Sequence, residues 1–302
     1  MTSTLSTDPT TTSPVAAIPR QRTRTAKRAT RRRLPPSALV SGAVIALIVA
    51  AAVLAPLITP ADPIKGALGQ RLLPVGTSGH LLGTDGQGRD ILARLLYGAR
   101  PSLLTGLIPV AVAGTLGTLL GLVAGLGSRR TRSLVMRTLD VFYAFPAVLL
   151  AIAIAAALGS GISNSIIALA VILVPPIARV AESETTRLRS ADFMESARAS
   201  GAGWVAIGAR QVLPNIAPAV VVYCTALIGL SIVYAAGLSF LGLGIAPPHP
   251  EWGLMISDLQ QYMFSQPQLI LVPAFAIIVA SVAFNVLGDG LRGYLNVRSE
   301  TP

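Results

Sequence analysis

Charged residues are scarce in this sequence. Of its 302 residues only 12% are Asp, Glu, Lys or Arg, whereas 52% are hydrophobic, and the mean hydropathy is +0.66. A soluble domain carries about 25% charged residues, and a soluble fold this apolar would expose large adhesive patches. The composition therefore favours a lipid bilayer as the solvent for most of the chain.

Cysteine and histidine are also rare, which limits redox and metal chemistry. The single cysteine, Cys224, lies in an apolar run, cannot form an intrachain disulfide and is expected to be an inert buried thiol. His80 and His249 are far apart, and no Cys/His spacing typical of a metal site is present. We expect no metal site and no cofactor in this chain.

Motifs for catalysis and for ion coupling are missing as well. The chain has two lysines, and neither follows a glycine-rich loop, so there is no Walker A motif. Gly-x-Ser-x-Gly and His-Glu-x-x-His patterns are absent, and no catalytic residue is predicted. The apolar runs hold no cluster of acids, only weak candidates such as Asn164 and Asn285 for an ion site. Asp140 is expected to pair with Arg137. If the chain moves solute uphill, another subunit supplies the energy.

Six long apolar runs are the main feature that the sequence does have. We predict an all-α integral membrane protein with six transmembrane helices within residues 38–296. The predicted spans are Ala38–Ile58, Leu103–Leu126, Leu139–Leu158, Ile162–Val180, Pro218–Leu241 and Leu269–Leu287. In the second span Gly117, Gly121 and Gly125 are four residues apart, which predicts a close helix contact, either within the chain or between two copies.

The basic residues predict how the spans are oriented. With the N-terminus inside, 19 of the 24 Lys and Arg residues lie in inside segments, so both termini are predicted to be cytoplasmic. Residues 1–37 are predicted to be a disordered basic tail; a transit peptide or a twin-arginine signal is the alternative. The net charge of +11 could indicate nucleic-acid binding, but no basic face with interleaved aromatics is present.

Two predicted outer segments, about 59–100 and 245–268, have helical patterns. From Asp90 onward an amphipathic helix is expected at the outer interface, with Arg94 away from its apolar face. In the second segment Trp252, Met255 and Leu259 recur at helical spacing. These helices are expected to anchor the interface or to dock a partner protein.

The inner segment of about 182–217 contains ESARASGAGWVAIGARQVLPN, a half-polar stretch broken by glycines. A helix over Ala191–Ser200, a turn at Gly201–Gly203 and a second short helix over Trp204–Val212 that ends at Pro214 are predicted. Such a rigid projection suits docking into another protein. An ordinary interfacial loop is the alternative.

Four stretches of the chain together resemble a known family. Glu195-Ser196-Ala197, followed by Gly201 and then by Leu213-Pro214, resembles the EAA motif of ABC-importer permease subunits, with Ser196 in place of the usual alanine. LGTDGQGRDILARLLYGARPSL, MRTLDVFYAFPAVLL and AAGLSFLGLGIAPPHPEWGLMI resemble the "C" permease of the dipeptide/oligopeptide/nickel family. The similarity covers about residues 36–296.

This resemblance implies a type I importer permease fold in a bacterial inner (plasma) membrane. It also implies a homologous second permease, two ATP-binding subunits that carry ATP and Mg, and an extracytoplasmic peptide-binding protein. The EAA stretch would be the coupling helix that contacts an ATPase. The residues implied for this ATPase coupling are Glu195, Ser196, Ala197, Gly201, Trp204, Leu213 and Pro214. Those implied for contact with the binding protein are Asp85, Arg89, Asp90, Pro250 and Trp252.

The implied function is import of short peptides. The alternatives are the same machine with nickel, a metal chelate or another small solute as substrate, and an ion-coupled secondary carrier. A membrane-anchored interaction protein without transport is a further alternative, although six spans rich in proline and glycine exceed what anchoring requires.

Overall fold

A computed structural model describes residues 35–295 of the chain. The predicted tail lies outside these residues, except that its last residues, Pro36 and Ser37, already belong to the first helix. The helices are α1 (Pro36–Val53), α2 (Ala55–Ile58), α3 (Ile91–Leu126), α4 (Arg129–Tyr143), α5 (Ala147–Leu158), α6 (Ile162–Leu188), α7 (Asp192–Ala199), α8 (Trp204–Ile207), α9 (Leu213–Phe240), α10 (Trp252–Leu259) and α11 (Pro267–Leu295).

The long helices agree with the predicted all-α membrane fold. Five of them are long and apolar enough to cross a membrane: α1, α3, α6, α11 and the continuous helix Trp204–Phe240. The pair α4 and α5 makes a sixth span if the bent pair is counted as one. The boundaries of five predicted spans, all except the third, fall within or close to these helices.

The glycine stripe on α3 packs against α6 of the same chain. A Cβ at Gly117 would lie 2.9 Å from the carbonyl oxygen of Val174, and one at Gly121 would lie 2.6 Å from that of Ala178. A Cβ at Gly125 would lie 2.5 Å from the Cβ of Thr185. The prediction of close packing within the chain is confirmed, because only glycine lets these two backbones approach so closely.

The predicted third span, Leu139–Leu158, is not one continuous helix. The chain forms α4 and α5, which are bent by 86° at a short break. Pro146 is the last residue of this break, and a proline disfavours helical backbone at the residue before it. Asp140 also differs from the prediction, because it pairs with Arg179 of α6 rather than with Arg137.

The predicted separate interfacial helix from Asp90 is wrong, because it is the first part of α3. The Asp90 carboxylate caps this helix by accepting a hydrogen bond of 2.7 Å from the backbone N–H of Ala93. Arg94 is only 1% exposed. Carboxylates from other segments pair with this arginine, so it does not have to reach water.

The second short helix does not end at Pro214. It continues through a π-helical turn, Gly208–Val212, into α9, with Pro214 in the first turn of α9. The backbone N–H of Leu213 bonds to the carbonyl of Gly208, and the Asn215 side chain donates to the carbonyl of Gln211 at 2.6 Å. Widened turns of this kind accommodate a proline within a membrane helix.

Candidate functional site

The stretch with the EAA-like motif folds into a compact projection, here called the knob (residues 192–207). Helix α7 ends in a Schellman motif: the N–H of Ala202 bonds to the carbonyl of Ala197 at 3.1 Å, and the N–H of Gly201 bonds to the carbonyl of Arg198 at 3.0 Å. Gly201 has φ +77°, in the left-handed region. Glycine is therefore required here for its backbone and not for lack of space, since a Cβ would meet nothing within 4 Å.

The knob is fixed to the membrane helices by a few buried side chains. Met194 of α7 is fully buried, and Ile207 of α8 is also buried. A Cβ at Gly208 would lie 3.2 Å from Leu126 at the end of α3. Arg189 just before the knob donates to the carbonyl of Gly125 at 3.1 Å. The knob is therefore attached directly to the ends of α3 and α6.

Three large apolar side chains of the knob are exposed. Trp204 is 66% exposed, and the neighbouring Val205 and the α7 residue Phe193 are also exposed. Glu195 and Ser196 are exposed beside them. An exposed group of large apolar side chains on a rigid support is typical of a protein-docking surface.

The structure brings together only part of the predicted coupling set. Glu195, Ser196, Gly201 and Trp204 are exposed on the knob, whereas Ala197 is half-buried against the core. Leu213 and Pro214 lie beyond the π-helical turn, on α9. There Leu213 lines an open apolar groove between α3 and α9.

This groove has a volume of about 450 Å³. Its walls include Val110 and Thr118 of α3 and Val220 and Cys224 of α9. Nothing in the sequence assigned these residues to a groove, and Cys224, expected to be buried, is only half-buried here. They are apolar or small like the rest of the spans, and nothing in their spacing distinguishes a groove from a helix contact.

A buried ion network joins the segments at the opposite end of α3. Arg89 Nε donates to Asp85 Oδ2 at 2.6 Å, and Arg89 Nη2 donates to Asp258 Oδ2 at 3.0 Å. Arg94 lies 3.4 Å from the same oxygen of each aspartate. Arg94 also donates to the carbonyls of Pro63 and Pro248. We call Asp85, Arg89, Arg94 and Asp258 the outer ion network.

A second polar contact fastens α10 to α3. Glu251 accepts a hydrogen bond of 2.8 Å from Ser102 and caps α10 by accepting one of 2.9 Å from the N–H of Leu254. The Trp252 indole donates to the carbonyl of Leu95 at 3.0 Å, and this side chain is only 2% exposed. Trp252, Met255 and Leu259 do share one face of α10, but that face is buried within the chain and does not anchor the membrane interface.

The residues predicted to contact a binding protein are therefore covered in this chain. Asp85, Arg89, Asp90, Pro250 and Trp252 are all buried. Their side chains hold the outer segments together, and a direct contact of any of them with another protein stays a prediction. The sequence analysis missed Ser102, Glu251 and Asp258, because their partners are more than 100 positions away in the chain.

The two asparagines named as weak candidates for an ion site have local partners. Asn164 donates to the carbonyls of Leu158 and Gly159, and Asn285 donates to that of Ser281. Within residues 35–295, no three His, Cys, Asp or Glu side chains lie close enough together to hold a metal ion.

Two family models match the chain. Residues 117–300 match the model described as "Binding-protein-dependent transport system inner membrane component", and residues 31–74 match the "N-terminal TM domain of oligopeptide transport permease C". The chain belongs to the binding-protein-dependent transport system inner membrane components. Members of this family are permease subunits of ABC importers, which work together with ATPase and permease subunits.

Relatives of this permease are named as glutathione, peptide or dipeptide transport permeases. It is 41% identical to the glutathione transport system permease protein GsiD of Pectobacterium atrosepticum, over 86% of each chain. It is 40% identical to a putative peptide transport system permease protein of Brucella suis, over 91% of each chain. It is 39% identical to the dipeptide transport system permease protein DppC of Alkalihalophilus pseudofirmus, over 87% of this chain and 86% of the relative.

Solved structures share the fold at low sequence identity. An inward-facing structure of the MetNI methionine ABC transporter superposes with a TM-score of 0.55 at 18% identity, over 66% of this permease and 95% of that chain. An amino acid ABC transporter structure gives 0.51 at 14% identity, over 67% and 94%. The predicted ABC-importer permease fold is confirmed.

Proposed function

We propose that this permease and a second permease subunit form the membrane pathway of an importer for short peptides. In this proposal an ATP-binding subunit docks on the knob, and its conformational change moves the knob. ATP and Mg are bound by the partner ATPases. The observation that carries the proposal is the knob itself, a glycine-capped projection with an exposed apolar side and a buried attachment to α3. Such a surface can transmit a force only if another protein occupies it.

The orientation follows from the two ends of α3. The knob lies by the last turn of α3, whereas α10 and the outer ion network lie by its first turns. Within residues 35–295 most Lys and Arg residues lie in the segments at the knob end, which supports a cytoplasmic location for the knob and for both termini. The other end then faces the delivery side, where a peptide-binding protein releases its substrate.

Short peptides are the proposed substrate because the relatives are named for glutathione, peptide and dipeptide transport. The test is reconstitution. The permease is purified with its co-expressed partner subunits, placed in liposomes, and given the cognate binding protein with radiolabelled di- and tripeptides on one side and ATP on the other. ATP-dependent peptide accumulation supports the proposal.

Two results would count against the proposal in different ways. Accumulation of nickel or a metal chelate, with no peptide uptake, would show that peptides are not the substrate but would leave the proposed ATP-driven import intact. Uptake by the permease alone, driven by an ion gradient without any ATPase, would reject the role of the knob.

A further inference from the structure

Helix α4 runs beside the knob end of the membrane helices and nearly at right angles to α5. It follows α3 directly, and Ser128 caps it by accepting a hydrogen bond of 3.2 Å from the N–H of Thr131. Arg189, next to the knob, donates to the carbonyl of Gly127 at 3.3 Å. If the apolar α5 enters the bilayer, the bend of 86° lays α4 along the membrane surface.

The side of α4 that faces α6 forms a basic pocket of about 540 Å³. Its charged residues are Arg129, Arg132, Arg137 and Asp140 of α4 and Arg179 and Glu182 of α6. Four guanidinium groups thus surround two carboxylates. The pocket-lining residues of α4 recur every three or four positions, so they share one side of the helix; they are Arg129, Arg132, Ser133, Met136, Arg137 and Asp140.

Two of the four arginines in the basic pocket are already paired. Arg132 Nε lies 2.7 Å from Glu182 Oε1, and Arg179 pairs with Asp140. Arg129 and Arg137 form no ion pair within residues 35–295. The pocket therefore keeps two positive charges for a ligand, while its paired arginines are held in place by their carboxylates.

Large apolar side chains are exposed on α4 next to its arginines. Leu134, Val141 and Phe142 are exposed, and Phe145 follows in the bend. A helix that carries both arginines and exposed large apolar residues suits the interfacial plane of a bilayer. This places the basic pocket at the depth of the lipid headgroups, with apolar surface beside it for acyl chains.

We propose that the basic pocket between α4 and α6 binds the phosphate headgroup of an anionic phospholipid. Guanidinium groups suit phosphate oxygens, because their paired N–H groups donate two parallel hydrogen bonds. Basic pockets between membrane helices are a recognised setting for such headgroups. Because the pocket adjoins the segment that leads into the knob, a bound lipid would also brace the knob end of α3 and α6.

The test uses the purified permease complex in phosphatidylcholine nanodiscs, into which phosphatidylglycerol or cardiolipin is titrated, with lipid retained on the protein measured by native mass spectrometry. Arg137→Gln removes one charge from the basic pocket. Arg130→Gln removes one charge from the same helix outside it and is the matched control. We expect Arg137→Gln to weaken retention of anionic lipid about fivefold, the double variant Arg129→Gln/Arg137→Gln more strongly, and Arg130→Gln less than twofold.

Three outcomes overturn the proposal. Equal losses for Arg137→Gln and Arg130→Gln would indicate diffuse surface charge rather than a pocket. Unchanged retention in the double variant would mean that the pocket holds no lipid. Displacement of the lipid by millimolar inorganic phosphate would indicate a site for free anions. Arg137→Lys keeps the charge but loses the paired N–H groups, so it should bind anionic lipid more tightly than Arg137→Gln and less tightly than the unchanged permease.

Discussion

The guanidinium of Arg89 lies 2.6 Å from a carboxylate oxygen of Asp85, and both side chains are almost completely buried. The same Asp85 accepts hydrogen bonds from the backbone N–H groups of Gln87 and Arg89. One carboxylate therefore shapes the turn before α3 and also fixes the arginine that reaches α10. Asp85 and Arg89 thus hold the outer segments to the membrane helices.

Asp85→Asn should destabilise the permease strongly. Removing one partner of a buried ion pair leaves uncompensated charge and costs about 3–5 kcal/mol. Thermal unfolding in detergent measures the effect. Asp62→Asn is the control, since Asp62 pairs with Lys65 at the surface, where such pairs contribute about 0–1 kcal/mol. Similar unfolding temperatures for both variants would mean that the outer ion network is not a structural element.

Gly201→Val should abolish co-purification of the ATPase while leaving membrane insertion intact. The φ of +77° places Gly201 in the left-handed region, which costs a β-branched residue about 1–3 kcal/mol. The turn would then open and separate α7 from α8. Gly201→Asn is the control, because asparagine tolerates this conformation. If the Gly201→Val variant still co-purified with the ATPase, the knob would not be the docking site.

Trp204→Ala should lower ATPase-coupled transport at least tenfold with little change in thermal stability. The side chain is 66% exposed, so its loss removes a docking contact and little packing within the chain. Phe264→Ala serves as the control, because Phe264 is 94% exposed but far from the knob in the outer segment. If the two variants transported equally well, Trp204 would not be part of the docking surface.

Trp252→Ala should lower both the unfolding temperature and the stimulation of ATPase activity by the binding protein. Truncating a buried tryptophan costs about 3–5 kcal/mol, and α10 would lose its attachment to Leu95 of α3. Trp252→Phe keeps most of the packing and should restore both properties. Restored stability without restored stimulation would instead show a direct contact between Trp252 and the binding protein.

Gly121→Ala should destabilise the permease by about 1–3 kcal/mol through overpacking. Its Cβ would lie 2.6 Å from the carbonyl oxygen of Ala178, in the backbone of α6. Gly237→Ala is a matched control in α9, where a Cβ meets nothing within 4 Å. There the change should stabilise by up to about 1 kcal/mol, because alanine is the better helix former. A stable Gly121→Ala variant would contradict the tight α3–α6 contact.

The parts of the fold that the sequence predicted correctly depend on local pattern. Span lengths follow from runs of apolar residues, the α3 stripe follows from glycines four apart, and the turn after α7 follows from Gly201. The family resemblance rested on short contiguous motifs for the same reason. These signals lie within one or two helical turns, so no knowledge of tertiary contacts was needed.

The predictions that were wrong concern positions whose structure depends on residues distant in the sequence. Arg94 looked like an exposed interfacial residue because its partner Asp258 is 164 positions away. Asp140 was assigned to its helical neighbour Arg137, although Arg179 lies opposite it on α6. Pro214 predicts a helix end, because no pattern in the neighbouring residues indicates the widened turn that accommodates this proline. Hydropathy likewise could not show that the third span turns sharply before Pro146.

The helix from Trp204 to Phe240 is continuous. Its first residues belong to the knob, and its last residues form the outer end of α9. At 1.5 Å per residue its 37 residues measure about 55 Å. A tilt of about 5° imposed on the knob would therefore shift the far tip by about 5 Å, close to one helical turn. The π-helical turn Gly208–Val212 joins the knob to the rest of the helix, so a tilt of the knob reaches the far tip only when this turn stays rigid. In the proposed role of the knob, a small movement imposed by an ATPase would thus become a displacement of about one helical turn at the outer end of α9.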